Sequence, residues 1–217
     1  GALNGTYCAG ITVTVNGRCT ISNCINRASI TTTGWAGGLV SNITTGNSRV
    51  LINQSGNEGV IRATSGAVRG LVGYLSSGAM GYAAVITDCY NQGLISSHRN
   101  DTGGTGGLAT SYGGTRVVGI NCYNSGVMSG GRYQGAIFPS GRGVAYNCYA
   151  LAGNGGGLID GVKAFTQTQL QSWAAAYALN GQSMDGAWKY TEGEYPSIGT
   201  LDRPADWSVV GQGLIDR

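Results

Sequence analysis

Short apolar runs, bounded by glycine, asparagine and serine, make up the first 160 residues of the chain. The run at residues 11–15 alternates β-branched residues and is the clearest strand signal. Helical periodicity is nearly absent from this part of the sequence. The pattern therefore predicts short strands separated by tight turns, in an almost all-β chain up to residue 160.

One phrase recurs along these strands, as SNCINRASI, LINQSGNEGVI, TDCYNQGLI, INCYNSGVM and a truncated YNCYALAG. A shared position in the phrase is held by Cys24, Ser55, Cys89, Cys122 and Cys148, at spacings of 31, 34, 33 and 26 residues. A second apolar phrase follows the first four copies, as GGLVS, RGLVGY, GGLAT and QGAIF. Units of this size bury an apolar face only by stacking on their neighbours. We expect a right-handed parallel β-helix, or β-solenoid, of about five coils.

Equivalent residues lie above one another in such a stack, and alternation along a strand points neighbours to opposite faces. The alternation places Cys122 and Asn124 on one face and Tyr123 on the other. Small thiols suit core packing, and stacked asparagines can pair their amides along the stack. The predicted core ladder consists of Cys24, Ser55, Cys89, Cys122, Cys148, Asn26, Asn57, Asn91 and Asn124.

The phrases NCYNSGVMSG and RGLVGY, repeated at this period, resemble the GLUG-type repeats of bacterial cell-surface and secreted proteins. Such repeats also lie beside the metalloprotease domain of some IgA-cleaving enzymes. The segments FTQTQLQSWAAAYALNG and AWKYTEGEYPSIG are similar to the closing part of such arrays, so the resemblance covers roughly residues 20 to 200. It implies an exported bacterial solenoid, extracellular or on the cell surface, and supplies no catalytic residues. Ser55 and the phrase QGAIF depart from the repeat pattern.

The sequence after residue 160 predicts one helix. Thr166 suits the N-cap, Gln169 the capping-box position and Gly181 the position after the C-cap. The apolar face of this helix consists of Leu170, Trp173, Ala174 and Tyr177. We expect this face to cover the open end of the last coil.

Three regions follow from these patterns. Residues 1–20 are expected to form a covering strand or an incomplete coil, residues 21–160 the solenoid repeats, and residues 161–217 a C-terminal cap. No run approaches 18 apolar residues, so no membrane insertion is expected.

The positions of the six cysteines favour structural roles over a catalytic or metal-binding role. Four are explained by stacking, which leaves Cys8 and Cys19 as the one pair suited to a disulfide. A catalytic thiol needs a nearby base, and the single histidine, His98, lies in a polar loop. The sequence has no CxxC pair and no histidine cluster, so neither a metal nor a cofactor is expected.

Charge is distributed unevenly. Residues 1–150 contain nine arginines, no lysine and three acidic residues, a net charge of +6, whereas the remainder carries −3. The arginines either keep the rod soluble or bind acidic groups, because a guanidinium matches carboxylate and sulfate geometry. Nucleic-acid binding is not expected, since no basic cluster or reader motif appears. The predicted ligand-binding residues are Arg62, Arg69, Arg99, Arg116, Arg132, Tyr74, Tyr112 and Tyr133.

Three functional hypotheses follow. The first is a non-catalytic extracellular module for adhesion or ligand display that binds acidic glycans or a host surface protein. The alternative is a self-assembling subunit of a surface filament, because a solenoid presents strand edges at its ends and can associate end to end. The third, a carbohydrate-active enzyme, requires paired carboxylates. The coils offer only Glu58, Asp88 and Asp101, and Asp88 stands where other repeats have asparagine.

Overall fold

The computed structural model describes residues 1–44, 49–76, 81–98, 104–110, 115–131, 133–139 and 143–202. Over these ranges the chain coils as a β-solenoid of parallel strands, with two short helices near the C-terminal end. The predicted fold class is therefore confirmed.

The strands follow one another in successive turns. A leading turn contains β1 (Ala2–Gly5), β2 (Cys8–Ala9), β3 (Thr12–Asn16) and β4 (Cys19–Ser22). Turn 1 contains β5 (Ile25–Asn26), β6 (Ser29–Thr32), β7 (Ala36–Gly37), β8 (Val40–Thr44) and β9 (Val50–Asn53). Turn 2 contains β10 (Gly56–Asn57), β11 (Ile61–Ala63), β12 (Val68–Arg69), β13 (Val72–Ser76) and β14 (Gly81–Thr87).

Two further turns complete the solenoid. Turn 3 contains β15 (Tyr90–Asn91), β16 (Ile95–Ser96), β17 (Thr105–Gly106) and β18 (Thr115–Ile120). Turn 4 contains β19 (Tyr123–Asn124), β20 (Met128–Ser129), β21 (Gln134–Gly135) and β22 (Gly143–Tyr146). The closing strands of the solenoid are β23 (Cys148–Leu151) and β24 (Val162–Phe165).

Strands at equivalent positions of successive turns pair in parallel. In the order in which the chain visits them, sheet A contains β1, β6, β11, β16 and β20, and sheet B contains β2, β7, β12, β17 and β21. Sheet C contains β3, β8 and β13, and sheet D contains β4, β9, β14, β18 and β22. Sheet E contains β5, β10, β15, β19, β23 and β24.

The described strands make four complete turns after the leading turn, slightly fewer than the predicted five. The difference arises because five copies of the repeated phrase, from Cys24 to Cys148, bound only four intervals. The last copy lies in β23 and opens the C-terminal segment. Residues 1–20 lie in the leading turn, which enters sheets A to D.

Aliphatic side chains from every sheet fill the interior of the solenoid. In sheet A, Ile30, Ile61 and Ile95 occupy successive register positions and are at most 1% exposed. Leu39, Leu71 and Leu108 form a second fully buried column between sheets B and C. The apolar positions of the repeats thus form continuous columns along the solenoid axis.

The asparagines form a hydrogen-bonded ladder within sheet E. The side-chain Nδ2 of Asn26 donates to Oδ1 of Asn57 at 2.7 Å, and Asn57 donates in the same way to Asn91 at 2.8 Å. Asn91 donates to Asn124 at 2.7 Å, and all four side chains are at most 3% exposed. Ala150 holds the next register position, so the ladder ends at Asn124. Pairing each amide with the next satisfies polar groups that would otherwise be costly to bury.

The asparagine ladder ends at turn 4, where the phrase QGAIF departs from the repeat pattern. Gly38, Gly70 and Gly107 hold the second position of the earlier phrases, where a Cβ would meet a backbone carbonyl oxygen of the next turn at 1.9–2.2 Å and a ladder asparagine at 2.6–2.7 Å. Ala136 replaces them in turn 4, where its carbonyl oxygen accepts a hydrogen bond from Asn124 at 2.9 Å. No ladder asparagine follows Ala136, so the second of these clashes is absent there.

The corner between sheets D and E repeats a left-handed backbone conformation. One residue in each turn has a φ of 47° to 54° there, namely Asn23, Gln54, Asp88, Asn121 and Asn147. Asparagine and aspartate enter this region at low cost, which explains the residue preference before each cysteine. Side chains of Asn121 and Asn147 also extend a polar ladder from Asp88.

The cysteine column forms hydrogen bonds at the same corner between sheets D and E. Cys89 Sγ donates to the carbonyl oxygen of Thr87 at 3.1 Å, and Cys122 makes the equivalent contact with Ile120. Ser55 Oγ donates to the carbonyl oxygen of Asn53 at 2.7 Å. A hydroxyl therefore replaces the thiol without loss of the corner hydrogen bond, which explains the serine in this column.

The predicted C-terminal helix begins where expected but is split into two. The Thr166 hydroxyl accepts from the Gln169 amide, and the Gln169 side chain accepts from the Thr166 amide, so the predicted capping box begins α1 (Gln167–Leu170). Ser172 then caps a second helix, α2 (Trp173–Leu179), by accepting from the Ala175 amide. The single-helix prediction was wrong because a serine inside the pattern competes for backbone hydrogen bonds.

Gly181 ends α2 as predicted, with a φ of 68°. Its amide donates to Ala178, and the amide of Gln182 donates to the carbonyl oxygen of Tyr177. These two bonds form the Schellman motif, which needs a left-handed residue at this position. The chain continues into β25 (Trp188–Lys189) and β26 (Ser197–Ile198), which pair antiparallel.

The segment at residues 166–202 is here called the strap. It was predicted to cover the end of the solenoid, and it does not. It packs sideways on the outer face of sheet E, where Tyr90, Tyr123 and Tyr149 stand in register. Residues 151–161 close the end of the solenoid instead, through amide-to-carbonyl bonds such as Met128 to Asn154 and Ala136 to Gly157. Strap side chains that include Trp173, Leu179 and Trp188 bury their apolar surface against this tyrosine column.

Candidate functional site

Among the described residues, the predicted arginines Arg62, Arg69 and Arg116 do not share one surface. Arg62 in sheet A and Arg116 in sheet D are exposed, on sheets that flank sheet E. Arg69 is completely buried, and its Nη1 donates to the carbonyl oxygen of Gly73 at 2.8 Å. The prediction of a ligand-binding role for Arg69 is therefore wrong. Its register neighbours are Gly37 and Gly106, whose missing side chains leave room for the arginine side chain over the sheet.

The two described tyrosines of the predicted set, Tyr74 and Tyr133, are also separated. Tyr74 lies in sheet C, half-buried, with its ring stacked on Trp35 at a centroid distance of 4.2 Å. One face of this ring is therefore already covered by protein. Tyr133 is 54% exposed near sheet B. Arg99, Arg132 and Tyr112 lie outside the described residues.

All six cysteines lie in the described ranges, and all six are free thiols. The suggested disulfide between Cys8 and Cys19 is absent, and the two thiols lie in β2 and β4, in different sheets of the leading turn. Burial raises the pKa of the Cys89 and Cys122 thiols. Both are therefore protonated near neutral pH, a poor state for a nucleophile or a metal ligand.

Acidic residues do not form a metal-binding group in the described part of the chain. Asp88 accepts hydrogen bonds from Thr87 and Asn121 at the corner ladder, so its carboxylate serves the backbone corner. Asp101 lies outside the described residues. Among the described helices, none is long and apolar enough to span a membrane.

A polar cleft of about 360 Å³ lies between sheet E and the strap. The solenoid and the strap each contribute a tyrosine ring, a glutamate and an amide side chain. The cleft-lining residues are Glu58, Tyr90, Gln92, Gln171, Gly193, Glu194, Tyr195 and Ser197. None of these residues belongs to the predicted ligand-binding set.

Hydrogen bonds fix the solenoid wall of this cleft. The Glu58 carboxylate accepts from Tyr90 Oη at 2.8 Å and from Arg27 Nε at 2.7 Å. Burial and the neighbouring Glu58 carboxylate raise the pKa of Tyr90, so its hydroxyl remains a donor. The Gln92 side chain donates to Tyr123 Oη at 2.6 Å. The wall therefore presents its rings and polar groups in a set arrangement.

The strap wall is held by the same tyrosine column. Tyr123 Oη donates to the carbonyl oxygen of Pro196 at 2.6 Å, next to Tyr195. Trp188 packs 5.3 Å from the Tyr123 ring, and its Nε1 donates to the carbonyl oxygen of Asn121. Asn147 Nδ2 adds a bond to Ala178 at 2.7 Å. These contacts hold the two walls of the cleft together across turns 3 and 4.

The arrangement suits a small polyhydroxylated ligand. Tyrosine offers a flat apolar face with a polar edge, and amide and carboxylate groups supply acceptors and donors for hydroxyl groups. Two glutamates line the cleft against the one arginine paired with Glu58, and this balance favours a neutral or cationic ligand over an anionic one. A second groove, lined by Asn147, Tyr149, Lys163 and Gln182 among others, runs beside β23 and β24 and contributes no paired carboxylates.

A signal for the cleft is present in the sequence, although alternation alone does not expose it. Tyr90, Tyr123 and Tyr149 repeat on the outward face of the phrase NCYN, where a solvent-facing strand usually carries polar side chains. A recurring outward aromatic therefore indicates that another segment covers this face. The glutamates and Tyr195 in EGEYPSIG could be placed there only once the path of the strap was known.

Comparison of this chain with protein-family models, curated proteins and solved structures found no match. The resemblance to GLUG-type repeats therefore remains a prediction from the quoted phrases.

Proposed function

We propose that the chain is a non-catalytic extracellular module for adhesion or ligand display, and that the cleft between sheet E and the strap binds a glycan. One observation carries this proposal. Two tyrosine rings and several hydrogen-bonding side chains converge in a cleft whose walls are held by buried contacts. A pre-formed site avoids much of the ordering cost of binding.

The chemistry of the cleft selects among glycans. Arg27 offsets the charge of Glu58, and Glu194 adds a second carboxylate, so sialylated or sulfated chains meet like charge mainly at Glu194. Neutral or amino sugars are the expected ligands. This differs from the prediction that acidic glycans are the ligands. Of the residues on which that prediction rests, Arg69 is buried, and one face of the Tyr74 ring is covered by Trp35. Arg62 and Arg116, the exposed arginines of the predicted set among the described residues, supply the test of that earlier prediction.

The non-catalytic part of the proposal rests on how the carboxylates are used. The cleft holds two glutamates, but Glu58 is engaged by Arg27 and Tyr90 and is therefore not placed to serve as the second carboxyl group beside Glu194. Asp88 is engaged by the corner ladder. Glycoside hydrolysis needs one carboxylic acid and one carboxylate placed on opposite sides of a bound glycosidic bond. The extracellular location is supported by the resemblance to repeats of exported proteins.

A glycan array, followed by titration calorimetry on the strongest binders, tests the proposal. Glu194→Ala removes an exposed cleft side chain, and Glu192→Ala removes a nearby exposed glutamate that does not line the cleft. We expect neutral or amino glycans to bind the wild type and Glu192→Ala alike. Glu194→Ala should bind them roughly tenfold or more weakly, since hydrogen bonds to charged groups contribute about 1.5–3 kcal/mol.

Two results would overturn the cleft proposal. The first is equal binding by Glu194→Ala and the wild type, and the second is no binding to any glycan. Binding restricted to acidic glycans, and lost in the double variant Arg62→Ala and Arg116→Ala, would instead place the site on the arginines.

A further inference from the structure

The cleft between sheet E and the strap is locally acidic in a protein of net positive charge. The whole chain carries +3, yet two of the eight described residues that line the cleft are glutamates and none is a lysine, an arginine or a histidine. Residues 190–200 of the strap wall contain two glutamates and no basic residue. The cleft therefore attracts positive charge.

Glu58 keeps acceptor capacity although it has two protein partners. Its Oε2 accepts from Arg27 Nε at 2.7 Å, and its Oε1 accepts from Tyr90 Oη at 2.8 Å, so each oxygen has one such bond. A carboxylate offers about four lone-pair sites. The Glu58 side chain is also still 30% exposed. The two bonds therefore hold the carboxylate in place and leave lone pairs for a donor in the cleft.

The charge of Glu58 is offset only in part, and that of Glu194 is not offset by any described residue. Arg27 is 70% exposed, so solvent screens much of its attraction to Glu58, and it does not line the cleft. Glu194 is exposed on the strap wall and forms no salt bridge with a described residue. A cationic group in the cleft thus gains more from Glu194 than from Glu58.

A tyrosine ring supplies the second part of the site. Tyr195 follows Glu194 directly and is only partly buried. Its ring centroid lies 6.4 Å from that of Tyr123, whose hydroxyl also binds the carbonyl oxygen of Pro196. The ring is therefore held in place, with an apolar face on which a sugar ring can pack and to which a cation is attracted.

We propose that the cleft selects amino sugars whose amine is free and protonated, with the ammonium group bound by Glu194 and Glu58 and the sugar ring packed on Tyr195. This inference rests on the proposed function, because it names the class of glycan. An ammonium group has three donors and no acceptor, so it suits a wall of carboxylate oxygens. N-acetylation removes the charge and leaves one donor, and a sugar hydroxyl forms only the weaker uncharged bonds.

Titration calorimetry with three matched oligosaccharides tests the proposal. Chitosan tetrasaccharide carries the free amine, chitin tetrasaccharide its N-acetylated form, and cellotetraose a hydroxyl group at the same position. At a mildly acidic pH that keeps the amine protonated, we expect the chitosan tetrasaccharide to bind roughly tenfold or more tightly than the other two, since charge-assisted hydrogen bonds are about twice as strong as neutral ones. Added salt should weaken this preference.

Three variants locate the ammonium group, and circular dichroism establishes that each one folds. Glu194→Gln keeps the shape of the side chain, and it should weaken binding of the chitosan tetrasaccharide roughly tenfold while changing the other two little. Arg27→Gln should strengthen it several-fold, because the charge of Glu58 is then no longer offset. A salt bridge with a structural role alone would not produce such a gain. Glu192→Gln, outside the cleft, should bind like the wild type.

Equal or tighter binding of chitin tetrasaccharide or cellotetraose would overturn the inference and leave the cleft as a site for neutral glycans. Undiminished binding by Glu194→Gln, or no gain in Arg27→Gln, would also overturn it. Equally tight binding of a simple amine such as ethylamine would do the same, since the cleft would then recognise charge alone. Failure to bind chitosan tetrasaccharide overturns the inference, whereas only the absence of binding across the whole glycan array overturns the proposed function as well.

Discussion

The asparagine ladder offers the sharpest test of how the repeats stabilise the fold. Replacing Asn91 with alanine removes three buried hydrogen bonds: one accepted from Asn57 at 2.8 Å, one donated to Asn124 at 2.7 Å, and one donated to Gly93 at 2.9 Å. Each contributes about 1 kcal/mol net, so Asn91→Ala should lower the free energy of unfolding by about 3 kcal/mol. The neighbouring amides keep one partner each, at Gly59 and Gly126, which limits the additional cost.

Equilibrium urea unfolding, followed by circular dichroism, measures this loss. A change of about 3 kcal/mol is a large share of the 5–15 kcal/mol that typically separates folded and unfolded states. Asn16→Ala is the matched control, because Asn16 is exposed at the end of β3 and its removal should cost less than about 0.5 kcal/mol. Asn91→Asp should destabilise more than alanine, since its carboxylate would face the acceptor oxygens of Gly93 and Asn124.

The stabilising role of the ladder would be refuted by a loss below about 0.5 kcal/mol for Asn91→Ala, which is the range of ordinary surface substitutions. Equal effects of Asn91→Ala and Asn16→Ala would have the same meaning.

Three further predictions concern the core, alkaline stability and the strap. Cys122→Ala should lower the free energy of unfolding, measured in urea, by about 1–3 kcal/mol. Cys89 and Cys122 should react with a thiol reagent only after denaturation, and rapid labelling of the native protein would contradict their burial. Burial, with a smaller contribution from Cys148, raises the pKa of Tyr149 to about 12. The buried, un-ionised Tyr149 side chain therefore contributes fully to stability below about pH 10, which is the pKa of tyrosine in the unfolded chain, and this contribution is lost as the pH rises towards 12. Tyr149→Phe should consequently lose less stability over that interval than the wild type. Trp188→Ala should lower the free energy of unfolding by about 3–5 kcal/mol and make the strap sensitive to limited proteolysis. Unchanged resistance to proteolysis would show that Trp188 does not anchor the strap.

The coiled architecture could be predicted because its signal repeats. Period and alternation place Cys122, Asn124 and Tyr123 correctly relative to one another, and equivalent asparagines at spacings of 31 to 34 residues have to stack. Local chemistry also placed the capping box at Thr166 and the left-handed Gly181. Each of these features depends on neighbours in sequence or on a shared register.

Features that depend on segments distant in sequence could not be predicted in the same way. Burial of Arg69 follows from glycines in adjacent turns, which become its neighbours only in the folded register. The cleft depends on the strap crossing sheet E, and the path of the strap is set by packing on Tyr123. Ser172 splits the helix because two capping signals compete, and helix periodicity alone does not decide between them.

The stacking register itself is tested most directly by nuclear Overhauser effects between isoleucine methyl groups. Ile30, Ile61 and Ile95 hold matching positions in β6, β11 and β16, and neighbouring strands of a sheet lie about 4.8 Å apart. Protein labelled at its isoleucine methyl groups should show strong cross-peaks from Ile30 to Ile61 and from Ile61 to Ile95, with a far weaker one from Ile30 to Ile95. Absence of the two neighbouring cross-peaks, or a dominant cross-peak between Ile30 and Ile95, would contradict the stacked-turn register.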